Sequence, residues 1–194
     1  MQDDPAVRLI VMLDWPARSK AAHLRQWPLI IHAAETAAAI PALDGLLLLG
    51  SFSAGRADQV SDVDLVAVVA SGRFDEAWGR RRDFETPGTL FDWDVRIESD
   101  GDAASHKWIT QDIVKVECGF ADASRSAMQL AEPYAVLVGD ESAATRFPPL
   151  EPIPADVLEA YAQELLNRGL VPEVETCYGE FRRALRRAMS GDVS

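Results

Sequence analysis

Two short motifs twelve residues apart, Gly50-Ser51 and Asp62-x-Asp64, hold the side chains of this sequence best suited to chemistry. Gly50-Ser51 closes the aliphatic run Leu46–Leu49, and glycine there lets another group approach the backbone closely. If a helix opens at this turn, its free amides and positive dipole end make an anion site, to which Ser51 adds a hydroxyl donor. Asp62 and Asp64 stand two apart at the head of the β-branched run Val63–Val69, so in a strand both point to one face. Paired carboxylates beside a phosphate-binding turn form a hard-oxygen site for Mg²⁺, which binds through a few carboxylates plus substrate phosphates. Each motif alone is common, since Asp-x-Asp also begins solvated strands and turns. The signal is the order: strand, Gly-Ser, a gap of this length, Ser-Asp-x-Asp and a second strand.

With this order the chain resembles the nucleotidyltransferase superfamily that includes DNA polymerase β. His106-Lys107-Trp108-Ile109-Thr110 and Val114-Lys115-Val116-Glu117-Cys118-Gly119-Phe120 are similar to the corresponding strands of the kanamycin (aminoglycoside) nucleotidyltransferases, as is the gap from Gly50 to Asp62. The resemblance covers about residues 45–125. It implies an α/β (α+β) fold with a mixed twisted sheet, helices packed on it and a small helical segment after it. It also implies that Asp62, Asp64 and Glu117 are the catalytic carboxylates and hold two Mg²⁺ ions. Gly50, Ser51, Arg56, Ser61 and Lys115 are the implied nucleotide contacts. The family often has an arginine four residues after the motif glycine; here that position is Ala54, and Arg56 is the substitute.

The implied activity is Mg²⁺-dependent transfer of a nucleoside monophosphate, AMP from ATP, to a hydroxyl of a small, aminoglycoside-like cationic acceptor, with release of pyrophosphate. The family's general base lies in the helical C-terminal part, where Glu164, Glu175 and Glu180 are the candidates. Two other readings stand beside this one. The short tail suits a minimal nucleotidyltransferase that adenylylates a partner protein, as in toxin–antitoxin pairs. A non-catalytic nucleotide-binding module is the other. The acceptor enzymes are usually dimers, so a homodimer or a partner protein belongs to these expectations.

The elements that must position these residues follow from the pattern. Ser19 caps a helix through Gln26, and Pro28 suits the first turn of a second that runs through Ile30–Ile40. Leu46–Leu49 reads as a strand buried on both faces, and Val63–Val69 as a second. Phe74–Phe84 has helical spacing, and Thr86-Pro87-Gly88 is a turn. Leu90–Ile97 alternates apolar and polar residues as a half-buried strand does. Its Asp92 and Asp94 form a second Asp-x-Asp, the alternative source of a third carboxylate if Glu117 is not the ligand. Trp108–Phe120 reads as a strand or strand pair, and Tyr134–Val138 as a short apolar segment ending at Gly139-Asp140. The prolines at 148, 149, 152 and 154 mark a linker, which divides a nucleotidyltransferase domain, 1–147, from a linker and helical segment, 148–194. Two helices are expected in that segment, at 155–168 and 173–190. Val7–Trp15 is ambiguous between strand and helix.

Composition bounds the rest. With 19 basic and 31 acidic residues the net charge is −12, which repels nucleic acid and anionic membranes and could attract a cation. Two cysteines, Cys118 and Cys177, are too few for a disulfide framework and read as small core residues in a reducing compartment. The acidic start lacks a basic signal-peptide region, and no apolar run approaches ~18 residues, so a cytoplasmic protein is expected. Three scattered histidines give no zinc-site spacing. Arg182-Arg183 and Arg186-Arg187 form a solvated helix stripe, and Trp93 and Trp108 are candidates to stack on a base.

Overall fold

The computed structural model describes residues 18–96, 102–126, 128–130 and 133–150. Contacts divide the chain into two units, Met1–Leu150 and Glu151–Ser194. The expectations for Val7–Trp15, the two C-terminal helices, Glu164, Glu175, Glu180, Cys177 and the late arginine stripe lie outside the described residues. The prolines at 148 and 149 begin the expected linker. There Leu130 N donates to Pro148 O (2.8 Å) and Leu150 N to Leu130 O (2.8 Å), tying residues 148–150 to the first unit.

In chain order the elements are α1 (Arg18–Ala21), α2 (Trp27–Ala38), β1 (Leu43–Leu48), α3 (Gly50–Ser53), β2 (Val63–Val69) and α4 (Phe74–Gly79). A 3₁₀ turn (Arg81–Phe84) follows, then β3 (Thr89–Arg96), β4 (Ala103–Thr110), β5 (Lys115–Asp122), β6 (Ala135–Val138) and α5 (Glu141–Ala144). The fold is α+β, built on one six-stranded mixed sheet in the order β3-β4-β5-β2-β1-β6. Only the β2–β5 pair is parallel. Among the described residues no helix is long and apolar enough to cross a membrane.

Strand alternation splits the aliphatic runs between two layers. Leu46, Leu48, Leu65, Ala67, Cys118 and Phe120 face α2 and α4, where Ile30, Ala34 and Trp78 complete the larger core. Leu47, Val66, Val68 and Ala121 face the other way, under Leu130, Ala143 and Phe147. That is why Leu46, Leu47 and Leu48 are all fully buried although adjacent. Burial of each such side chain contributes about 1.5–3 kcal/mol. Among the described residues the second layer covers only part of its face, and the site lies on the rest.

Three expected elements differ. The helix expected from a Ser19 cap through Gln26 is only the single turn α1, Arg18–Ala21, with Ser19 inside it and turns over 22–26. Phe74–Phe84 is not one helix: it breaks at Gly79-Arg80 into α4 and the 3₁₀ turn. Phe74 still stacks on Trp78, and the Arg81 guanidinium lies 4.7 Å from the Trp78 ring. In β3 three apolar residues are exposed, Leu90, Phe91 and Val95 at 53%, 40% and 36%, while Trp93 is half-buried. The inward side carries Asp92 and Asp94, which Arg82 and Arg81 hold by ion pairs of 2.7 and 2.9 Å. The Trp108–Phe120 region is a hairpin pair, with β4 starting earlier, at Ala103.

Candidate functional site

The site begins where β1 ends. Gly50 sits at φ +67°, a left-handed conformation that suits glycine, and starts the single helical turn α3. A Cβ at Gly50 would lie 2.5 Å from Asp64 Oδ2. Leu49 N also donates to Asp64 O (2.9 Å), so turn and carboxylate are locked together. Ser51 Oγ beside them is buried, with no hydrogen-bond partner among the described residues. With four residues, α3 supplies far less dipole than the full helix the sequence allowed for.

The third carboxylate comes from the parallel neighbour strand. Register pairs Asp64 with Glu117. Their backbones are about 4.8 Å apart across the strands, and their side chains share a face. Asp62, just before β2, joins them: Lys115 Nζ lies 3.8 Å from Asp62 Oδ2 and 3.7 Å from Glu117 Oε2. Lys107 Nζ on β4 is 3.2 Å from Glu117 Oε2, and Ser105 Oγ donates to Glu117 Oε1 (2.9 Å). Two ammonium groups thus offset the mutual repulsion of three carboxylates, and the group gathers on the open part of the face.

The sequence reading gave no role to Lys107, Ser105 or Gln26. Lys107 and Ser105 were legible only once the register Lys107↔Glu117 and Ser105↔Gly119 was known. Gln26 is fully buried. Its Nε2 donates to Asp58 O (3.1 Å) and Ser61 O (2.7 Å), anchoring the loop that delivers Asp62. Ser61 is also 1% exposed, and its hydroxyl donates to Asp58 Oδ1 (2.8 Å) and accepts from Asp58 N (3.0 Å). Both roles of the Ser61 hydroxyl are therefore used inside the loop. Arg56 is exposed on the turn after α3, its backbone N–H donating to Ser51 O (2.9 Å).

Asp92 and Asp94 lie on the opposite face. Asp94 pairs in register with His106, and His106 with Cys118 of the larger core. Burial raises the Asp94 pKa, but hydrogen bonds from Arg81 and His106 outweigh it and leave the carboxyl below its usual range. His106 is fully buried, with Nδ1 2.8 Å from Asp94 and Nε2 3.1 Å from Glu85. Glu85, Asp92 and His106 bring potential metal-ligand atoms within 4.8 Å of one another, a grouping the histidine spacing did not suggest. Trp108 is 1% exposed and stacks on His106, so it is core and not a base platform on the site's face. Trp93 alternates onto the carboxylate face, stacked with Phe91 at 5.6 Å.

A cavity of about 370 Å³ opens beside the carboxylates. Asp64, Glu117 and Ser105 line one end, and Leu49, Val66, Ala103, Gly119 and Met128 much of the rest. Comparison with models of known protein families finds no match, and no curated protein matches the chain in sequence.

Proposed function

We propose that the chain has the nucleotidyltransferase fold and is a Mg²⁺-dependent nucleotidyltransferase that moves a nucleoside monophosphate, AMP from ATP in the first instance, to a hydroxyl of a small acceptor. The observation that carries this reading is the register pairing of Asp64 with Glu117 beside a glycine turn too tight for a Cβ. The donor set suits magnesium: three carboxylates of hard oxygen, converging on one face, with a buried unsatisfied Ser51 hydroxyl next to them. Held by Asp62, Asp64 and Glu117, magnesium would supply Lewis acidity to the acceptor hydroxyl and neutralise charge on the leaving pyrophosphate.

The chain's own part is placement. Gly50 leaves room for the Asp64 carboxylate against the turn, and the unpartnered Ser51 Oγ beside it is the hydroxyl that would donate to a phosphate oxygen. Lys115 pairs with Asp62 and Glu117 and Lys107 with Glu117, and their ammonium groups would also offset the charge of a phosphate bound beside these carboxylates. The acceptor oxygen forms a bond to the α-phosphorus while the bond from that phosphorus to the β-phosphate oxygen breaks. The electron pair leaves with pyrophosphate, and the hydroxyl proton passes to a carboxylate or to water. Catalysis of this kind rests on positioning and charge stabilisation.

The test is Mg²⁺-dependent pyrophosphate release from each of the four nucleoside triphosphates, with Asp64→Asn run alongside. The arms contain aminoglycosides, uncharged cyclic alcohols or no acceptor. Release that needs Mg²⁺, an acceptor and Asp64 supports the proposal. Intact Mg-nucleotide binding with no release in any arm points to a protein acceptor or to the binding-module reading.

A further inference from the structure

The cavity beside the carboxylates says what kind of acceptor this site would take, if the nucleotidyl-transfer reading holds. Across the sheet the order is β1, β2, β5, β4. The same order places the Gly50 turn first, then Asp64, Glu117 and finally Ser105. In-line displacement needs the entering oxygen opposite the departing pyrophosphate. With the triphosphate at the Gly50 end, the acceptor hydroxyl enters from the Glu117–Ser105 side, and the cavity of about 370 Å³, which runs from Leu49 past Asp64 and Glu117 to Ser105 and Ala103, reaches that side. That volume is at the low end for small-molecule sites, which run from about 300 to 1,000 Å³.

Its walls are selective. The only charged groups among the described lining residues are Asp64 and Glu117, both at the metal end. Beyond them, Leu49, Val66, Ala103 and Met128 offer no partner to an ammonium group, and an unpaired charge buried there would be strongly disfavoured. Gly119 is the telling position. It sits mid-strand, where glycine weakens a strand and often marks close approach of a ligand. Its neighbours do not require glycine: a Cβ would meet Leu65 O at 3.7 Å and Val66 Cγ2 at 3.9 Å, both ordinary contacts. What the missing side chain does is open the floor between Ser105, its register partner on β4, and Val66, its partner on β2.

We propose that this cavity is the acceptor pocket, that Gly119 sets its depth, and that the acceptor is an uncharged hydroxyl-bearing molecule with an apolar ring body. This differs from the aminoglycoside-like cationic acceptor that the family resemblance implied.

The test uses ¹H–¹⁵N correlation spectra of the full chain and of the Gly119→Ala and Gly119→Leu variants. The probes are 2-naphthol, kanamycin and, separately, each nucleoside triphosphate with Mg²⁺. In the wild type, 2-naphthol should shift the Val66, Ser105 and Gly119 amides saturably. Gly119→Leu should weaken it at least tenfold, Gly119→Ala by less, and the affinity of the bound Mg-nucleotide should change less than twofold. Gly119→Ala introduces only ordinary contacts, so it keeps the test decisive if Gly119→Leu fails to fold. The proposal is overturned if 2-naphthol does not bind, if its affinity ignores both variants, or if kanamycin occupies the same amides more tightly. Loss of Mg-nucleotide binding in the Gly119 variants also overturns it, by giving the cavity to the nucleoside. A wild type that binds no Mg-nucleotide refutes nucleotidyl transfer itself, and the nucleotide titration distinguishes that failure from failure of the pocket.

Discussion

Gly50→Ala isolates the contact between the turn and the carboxylate. At φ +67° an L-residue loses about 1–2 kcal/mol relative to glycine. The new Cβ would lie 2.5 Å from Asp64 Oδ2, where real Cβ contacts begin at 3.0 Å and become comfortable beyond 3.4 Å. The carboxylate must therefore retreat by 0.5–0.9 Å (3.0 − 2.5 and 3.4 − 2.5). Allowing for the unfolded-chain entropy that alanine removes, about 0.4–1 kcal/mol, the backbone part of the destabilisation is about 0–1.6 kcal/mol (1 − 1 and 2 − 0.4), and the clash adds to it. The backbone part alone corresponds to a Tm up to about 6 °C lower. A displacement near 1 Å at a reacting centre costs on the order of 10²-fold in turnover. Urea or thermal unfolding of Gly50→Ala, Asp64→Ala and the double variant gives the coupling directly. Removing the carboxylate should relieve the clash, leaving the double variant only the backbone cost beyond Asp64→Ala. Zero coupling, together with wild-type Mg-nucleotide affinity in Gly50→Ala, would refute the idea that this glycine exists to seat Asp64.

Other consequences can be checked in parallel. Glu117→Gln should abolish Mg²⁺-dependent nucleotide binding, whereas Asp94→Asn should preserve it while lowering stability by about 1–3 kcal/mol through the Arg81 and His106 bonds; nucleotide titration and urea melts separate the two. Asp122 is 1% exposed; burial pushes its pKa up, but bonds from the Ser124 hydroxyl, Gly72 N and Ser124 N outweigh this and leave it lowered. A depressed folded pKa means its contribution is present above the unfolded value, about 3.9, and is lost as pH falls through the lower folded value. Asp122→Asn should therefore flatten the acid limb of a stability–pH curve, and an unchanged limb would exclude this residue. Burial pushes the Cys118 thiol well above its ordinary range, so in a Cys177→Ser background alkylation should be slow in the native state and fast in urea.

What the sequence made legible followed from local pattern. The aliphatic run before Gly50 and the β-branched run after Asp62 could only be buried strands, and both appear as β1 and β2. Pro28 marked the start of α2, and Gly139-Asp140 marked the end of β6. What was not legible depended on partners remote in the chain. Asp92 and Asp94 of β3 lie on the face of the larger core because Arg82 and Arg81, remote in the chain, pair with them there. Lys107 and Ser105 became site residues through strand register, and Gln26 through a bond across 35 positions to Ser61. The break at Gly79-Arg80 divides a span whose apolar spacing is continuous, so periodicity alone gave no sign of it.

The central claim is that Asp62, Asp64 and Glu117 form one metal-nucleotide site, and calorimetric titration with each nucleoside triphosphate, with and without Mg²⁺, tests it most directly. The wild type should bind at least one triphosphate only when Mg²⁺ is present. Asp64→Asn and Glu117→Gln should each lose that binding with melting temperatures close to the wild type's. Binding that ignores Mg²⁺, or that survives both substitutions, would contradict the account, as would a wild type that binds none of the four.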